Sequence, residues 1–146
     1  MENEILMKVA ELIVAAVAVF NGGGYIADAV IPWSAKQHIY NPMWPPHAKF
    51  HNGQGILMGV GLGLLSLVIL FAFRPLTLPL FTLATAIAGL YFVSMLLAPL
   101  FPGTAWVDPE FKSEMPMPLG LHPQKLVSLV VCSLLLVALV IAYTVH

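Results

Sequence analysis

Apolar residues dominate four stretches of this chain, at about residues 5–27, 47–73, 76–98 and 124–143. Each has the length that a helix needs to cross the hydrocarbon core of a bilayer, roughly 20 residues. The pattern predicts an all-α fold: an integral membrane four-helix bundle forming a single domain over residues 1–146. Only Arg74-Pro75 separates the second and third stretches, so these two form a tight antiparallel hairpin. The other connections, about residues 28–46 and 99–123, are long. With four spans, both long loops fall on one side of the membrane and both termini on the other.

The loops carry signals of order. Trp33, Tyr40 and Trp44 suit the headgroup region. Asp108-Pro109-Glu110-Phe111 reads as a helix start, with Asp at the N-cap and Pro in the first turn. Pro116 and Pro118 would stop that helix, and His122-Pro123 opens the fourth span in the same manner. The basic residues Lys36, Lys49, Lys112 and Lys125 on the loop side, against Lys8 and Arg74 on the other, leave sidedness open. At the N-terminus Glu2, Glu4 and Glu11 surround Lys8. A cleavable leader wants a basic start, so this segment reads as a retained first helix.

Composition agrees with lipid as the natural solvent. Hydrophobic residues make up 60% of the chain and charged residues 9%, against roughly 25% charged in soluble domains. The net charge is −1 without any basic run, so no nucleic-acid partner is expected. Cys132 is the only cysteine, which excludes a disulfide framework and a cysteine metal cage.

The chemistry gathers at the loop face. Asp28, His38, His47, His51, Asp108, Glu110, Glu114 and His122 all belong there. The two prolines Pro45-Pro46 place the start of the second helix, so His47 and His51 stand at i and i+4 on one face. Gln54 and Met58 continue that stripe. A polar face entering a membrane normally turns toward the bundle interior or a cavity. Asn21, Tyr25 and Asp28 form a comparable stripe descending the first span, beside Gly22-Gly23-Gly24. Gly55, Gly59 and Gly63, at spacing four, read as a surface for close approach of a neighbouring span or another copy of the chain.

Three readings of this cluster follow. In the first, histidines exchange protons near neutral pH while a carboxyl orients them or supplies a second proton site. In the second, His47 and His51 are two ligands of a metal ion, completed from His38, His122, Asp28, Asp108 or Glu110. In the third, the histidines are caps and interface residues of a non-catalytic membrane subunit or of a lipid- or ligand-binding protein.

The segment Trp44-Pro45-Pro46-His47-Ala48-Lys49-Phe50-His51 resembles a family of small four-span proteins of bacteria and fungi that carry a W-P-P-H-A-[KR]-F-H motif after the first span. Phe101-Pro102-Gly103-Thr104-Ala105 and Asp108-Pro109-Glu110-Phe111 resemble its second loop. The resemblance implies a shared fold over most of the chain. Some members bear an acetyltransferase label, but no acyl-CoA or nucleotide motif supports it here. The architecture is also similar to the emopamil-binding sterol isomerases, by analogy of fold alone. The membrane glutathione-transferases are set aside, because the second span lacks their basic and acidic residues.

The leading expectation is an enzyme that performs acid–base chemistry on a hydrophobic small molecule such as a terpenoid, sterol or polyketide, by isomerisation, cyclisation or hydration. His47 and His51 are its proton-transfer candidates and Asp28 the partner carboxyl, with Asp108 and Glu110 as lid-borne substitutes. Asn21, Tyr25, His38, Asn52, Gln54 and His122 would bind the substrate's polar groups. Trp33, Trp44 and Trp106 would shape a roof. No cofactor is expected, and a homo-oligomer is left open.

Overall fold

The structure is a computed structural model, described here over residues 1–145. Four helices are long and apolar enough to cross a membrane: Glu2–Val30, Pro46–Ala72, Leu78–Leu100 and Pro123–Val145. We refer to them as the first to fourth spans. Among the described residues no strand is present. Only 28–33% of each span's most apolar stretch is buried, and the remainder presents large side chains such as Leu57, Leu64, Phe71 and Leu136 outward. An apolar surface of that extent suits lipid rather than water.

Consecutive spans pack side by side and the fourth closes on the first. Alanines fill much of the core, at positions 10, 18, 84, 88, 138 and 142, with Phe81, Leu70 and Val14 as its largest fully buried apolar side chains. Lipid tails are as apolar as leucine, so helices in a membrane associate through close backbone packing and polar links. Two such links tie the spans. Ser66 Oγ donates to the Ala84 carbonyl at 2.9 Å, and Asn21 Nδ2 donates to the Ala88 carbonyl at 2.9 Å.

The glycine stripe of the second span meets the first span. A Cβ at Gly59 would lie 3.0 Å from the Asn21 carbonyl oxygen, and one at Gly63 would strike the Ala18 carbonyl. These two glycines are therefore spent within the chain and are not free for another copy. Gly55 has open space instead. Seven residues toward the loop end from the Asn21–Gly59 contact, about two turns on each antiparallel helix, Asp28 and Asn52 face each other.

The first span ends differently from the uniform helix expected. After Asn21 the Gly22-Gly23-Gly24 segment gives a turn and a short helical piece, Gly23–Tyr25. A π-turn, Ile26–Val30, follows and is closed by Ile31 N–H donating to the Ile26 carbonyl at 2.9 Å. This change of winding splits the predicted stripe. Asn21 is buried and Asp28 largely so, whereas Tyr25 is 55% exposed. The predicted helix after Asp108 is a single 3-10 turn, Pro109–Phe111, and the Asp108 side chain does not cap it. At the opposite end Glu11 pairs with Arg74 at 3.0 Å, which neutralises the one acid well inside the first span.

The packing gives a direct test. Gly63→Ala should destabilise the detergent-solubilised protein by about 1–3 kcal/mol through overpacking. Gly61→Ala, with nothing within 4 Å of the new methyl, should cost nothing measurable. Equal unfolding transitions for the two variants would contradict the described contact of the first and second spans.

Candidate functional site at the loop end of the bundle

The second span sorts its polar residues onto two opposite faces. Asn52, Ile56, Gly59 and Gly63 line the face that packs inward. His47, His51, Gln54 and Met58 lie on the other and are exposed. His47 and His51 therefore do not join Asp28 in a shared hollow, as the sequence reading expected. The physical reason is helical phase: once Gly59 and Gly63 commit their face to the first span, a stripe half a turn away must look outward. The two rings bond each other instead, with Nε2 atoms 3.1 Å apart. His51 Nδ1 lies 3.1 Å from Gln54 Oε1, and His47 stacks on Phe50.

The histidine that meets the inward carboxylate is His38. Its Nδ1 lies 2.8 Å from the Ser34 carbonyl oxygen and 3.5 Å from Asp28 Oδ1. A carbonyl can only accept, so Nδ1 carries the proton and Nε2 is left to give or take one. The other oxygen of Asp28 accepts from Asn52 Nδ2 at 2.9 Å. Asp28 and His38 side chains are 14% and 20% exposed, partly dry yet reachable. Asn52 Oδ1 is buried without a partner. Tyr91 of the third span closes the inner side, its ring set against Gly59 and its hydroxyl against Gly24.

A groove of about 810 Å³ runs along the outside of the first two spans beside this cluster. Ala29, Ile39 and Gly53 line it, together with Tyr25, Lys49, Phe50 and Gln54. Those first three are the chain neighbours of Asp28, His38 and Asn52. The groove is thus lined by the trio's chain neighbours, not by the trio itself.

The two long loops are clamped together over the cluster. Trp44 Nε1 donates to Asp108 Oδ2 at 2.8 Å, and Asn41 Nδ2 reaches the same oxygen at 3.4 Å. Asn41 also turns its own loop by accepting from the Met43 N–H at 2.9 Å. Trp44 stands edge-on to His38, 6.1 Å between ring centres, so the clamp also confines the imidazole. Asp108 thereby links the two loops through one carboxylate oxygen. Lys36 and Glu114 pair across the same loops at 3.5 Å. Trp106 stacks on His122 rather than roofing the trio, while Trp33 and Glu110 are exposed. Asn21 spends its amide nitrogen on helix packing, and its Oδ1 is buried without a partner.

Sequence reasoning gave Asn41, Gln37 and Tyr91 no place at the site. Asn41 is fully buried, and Gln37 is 6% exposed with Nε2 unpartnered. Asn41-Pro42 is a recognisable turn signal. Nothing in the sequence distinguishes Tyr91 from other aromatics of the spans. Among the described residues, no three of His, Cys, Asp and Glu converge as a metal cage would require.

A model of a family of unknown function, DUF6640, matches residues 12–144. The chain belongs to the DUF6640 family. The match takes in the first span from Leu12 onward, the second and third spans, the fourth as far as Thr144, the trio and both loops of this DUF6640 chain. No curated protein matches it. No solved structure matches it either.

Two outcomes test the clamp. Trp44→Phe removes the bond to Asp108 and should cost about 1–2 kcal/mol, with faster amide exchange confined to the two loops. Burial pushes His122 below the ordinary histidine value of 6.5. Protons then bind the unfolded chain before the folded one, so this contribution to stability is whole above about pH 6.5 and is lost as the pH falls below it. Thermal melts between about pH 7 and pH 5 should show that acid-side loss, reduced in His122→Phe.

Proposed function

We propose that this protein is a membrane-embedded enzyme that performs acid–base chemistry on a hydrophobic small molecule, with His38 as the proton-transfer group. The observation that carries the reading is the partly buried Asp28 carboxylate held between His38 and Asn52, whose chain neighbours Ile39, Ala29 and Gly53 line an apolar groove. Asp28 would hold the Nδ1 side of the ring while Nε2 takes and gives the proton. The carboxylate is held in turn by Asn52, and the ring by the Ser34 carbonyl and Trp44. Such a set needs neither nucleotide nor acyl carrier. It suits isomerisation, cyclisation or hydration of a terpenoid, sterol or polyketide, because each of these asks for a placed acid or base and exclusion of bulk water. Tyr25, Lys49 and Gln54 at the groove's polar end would receive the molecule's oxygen functions, and the bilayer would deliver it sideways.

The groove by itself also supports a ligand-binding protein without chemistry. The two readings separate in one experiment. Lipid extracts of cells expressing the intact protein are compared with extracts from cells expressing His38→Ala. The enzyme reading expects a species formed only with the intact chain, at a rate about 10²–10⁴-fold lower in the variant. Asp28→Asn should fall in the same direction, and His47→Ala should retain turnover. A folded His38→Ala protein that forms the product at the original rate would refute the assignment. Retained ligand without conversion in the intact protein would leave the binding reading.

A further inference from the structure

The exposed pair His47 and His51 is within hydrogen-bond reach, but its rings are bent toward one another rather than aligned. The Nε2 atoms are 3.1 Å apart and the ring centres 4.5 Å apart. A straight N–H···N bond of that length would hold the centres about 5.4 Å apart, because each nitrogen lies on the axis from its own ring centre. The rings are instead tilted toward one another. Two imidazoles binding one ion at about 2.05 Å and at a right angle would have nitrogens about 2.9 Å apart and centres about 4.5 Å apart. At a tetrahedral angle the same distances would be about 3.3 Å and 5.2 Å. The observed pair lies near the right-angle values.

Two neighbours favour the same use. Gln54 Oε1 accepts from His51 Nδ1, 3.1 Å away, which fixes the tautomer whose Nε2 carries a lone pair. An outer partner of this kind is how a ligating histidine is normally oriented. Phe50 lies parallel to His47, with planes 3° apart and centres 6.1 Å apart, and so limits rotation of the other ring. Both rings are exposed, which leaves the remaining coordination positions to water.

We propose that His47 and His51 form a two-histidine chelate for a divalent transition ion with right-angle sites, of the Cu²⁺ or Ni²⁺ type. The two imidazoles face away from the His38–Asp28 trio, although Phe50 and Gln54 beside them also line the apolar groove. Among the described residues no third His, Cys, Asp or Glu joins it, so the protein supplies two ligands and the position stays open.

The test uses the full chain in detergent, titrated with Cu²⁺, Ni²⁺ and Zn²⁺ after chelator treatment, without any substrate. Calorimetry should give one ion per chain, with affinity falling from Cu²⁺ to Ni²⁺ to Zn²⁺. The Cu²⁺ resonance spectrum should show coupling to two equivalent-type ring nitrogens, and to one or none in His47→Ala or His51→Ala. Gln54→Leu should weaken binding about tenfold, and either histidine variant should weaken it further. Binding that persists undiminished in the double variant, or no binding by the intact protein, would overturn the proposal. Because the readout is metal alone, either result leaves the His38 assignment to its own experiment.

Discussion

The organisation of this protein depends on the close approach of the first two spans, backbone against backbone, where Gly59 and Gly63 meet Ala18 and Asn21. In a bilayer there is no hydrophobic force to drive helices together, so contact distance and a few polar links decide their pairing. The glycines allow the distance. Asn21, bonded to the Ala88 carbonyl, adds the third span to the same point. That contact also fixes the register of two antiparallel helices. Two turns toward the loops it brings Asp28 opposite Asn52, and their bond of 2.9 Å is the foundation of the polar trio.

The same contact sets the rotation of the second span and thereby divides its polar residues. One face delivers Asn52 to the interior. The other carries His47, His51 and Gln54 outward. A single helix thus serves two separate chemical environments, one largely shielded and one open. The partly buried His38 with its carboxylate suits proton exchange in a site poor in water. The exposed imidazole pair, with its Nε2 atoms 3.1 Å apart, has the spacing of two ligands for a borderline cation at the surface.

The loops complete the shielded environment. His38 lies on the first long loop, beyond the π-turn that ends the first span, where the Ser34 carbonyl and Asp28 hold one edge of its ring and the rest needs a further partner. Trp44 supplies that partner by holding Asp108 of the other loop while its ring confines His38. Charge-assisted bonds such as this one are among the stronger links available to a connecting segment. Asn41, buried beneath the clamp, shapes the turn that presents Trp44.

Hydropathy by itself determined four helices, their approximate limits and the two long connections, because a bilayer leaves a spanning chain almost no alternative to helix. Spacing also marked Gly59 and Gly63 as packing positions, and the crowding of ionisable groups at one end of the bundle was plain from their order along the chain. Which histidine meets the carboxylate was decided only by tertiary structure. Periodicity gives the angle between residues on one helix, not the rotation of that helix against its neighbours. His47 and His51 were the conspicuous pair, yet glycine contacts turned them outward. His38 had no periodic pattern to advertise it, being on a loop, and its place follows from the π-turn and the Trp44–Asp108 bond. Those depend on residues far apart in sequence, whose meeting no local pattern encodes.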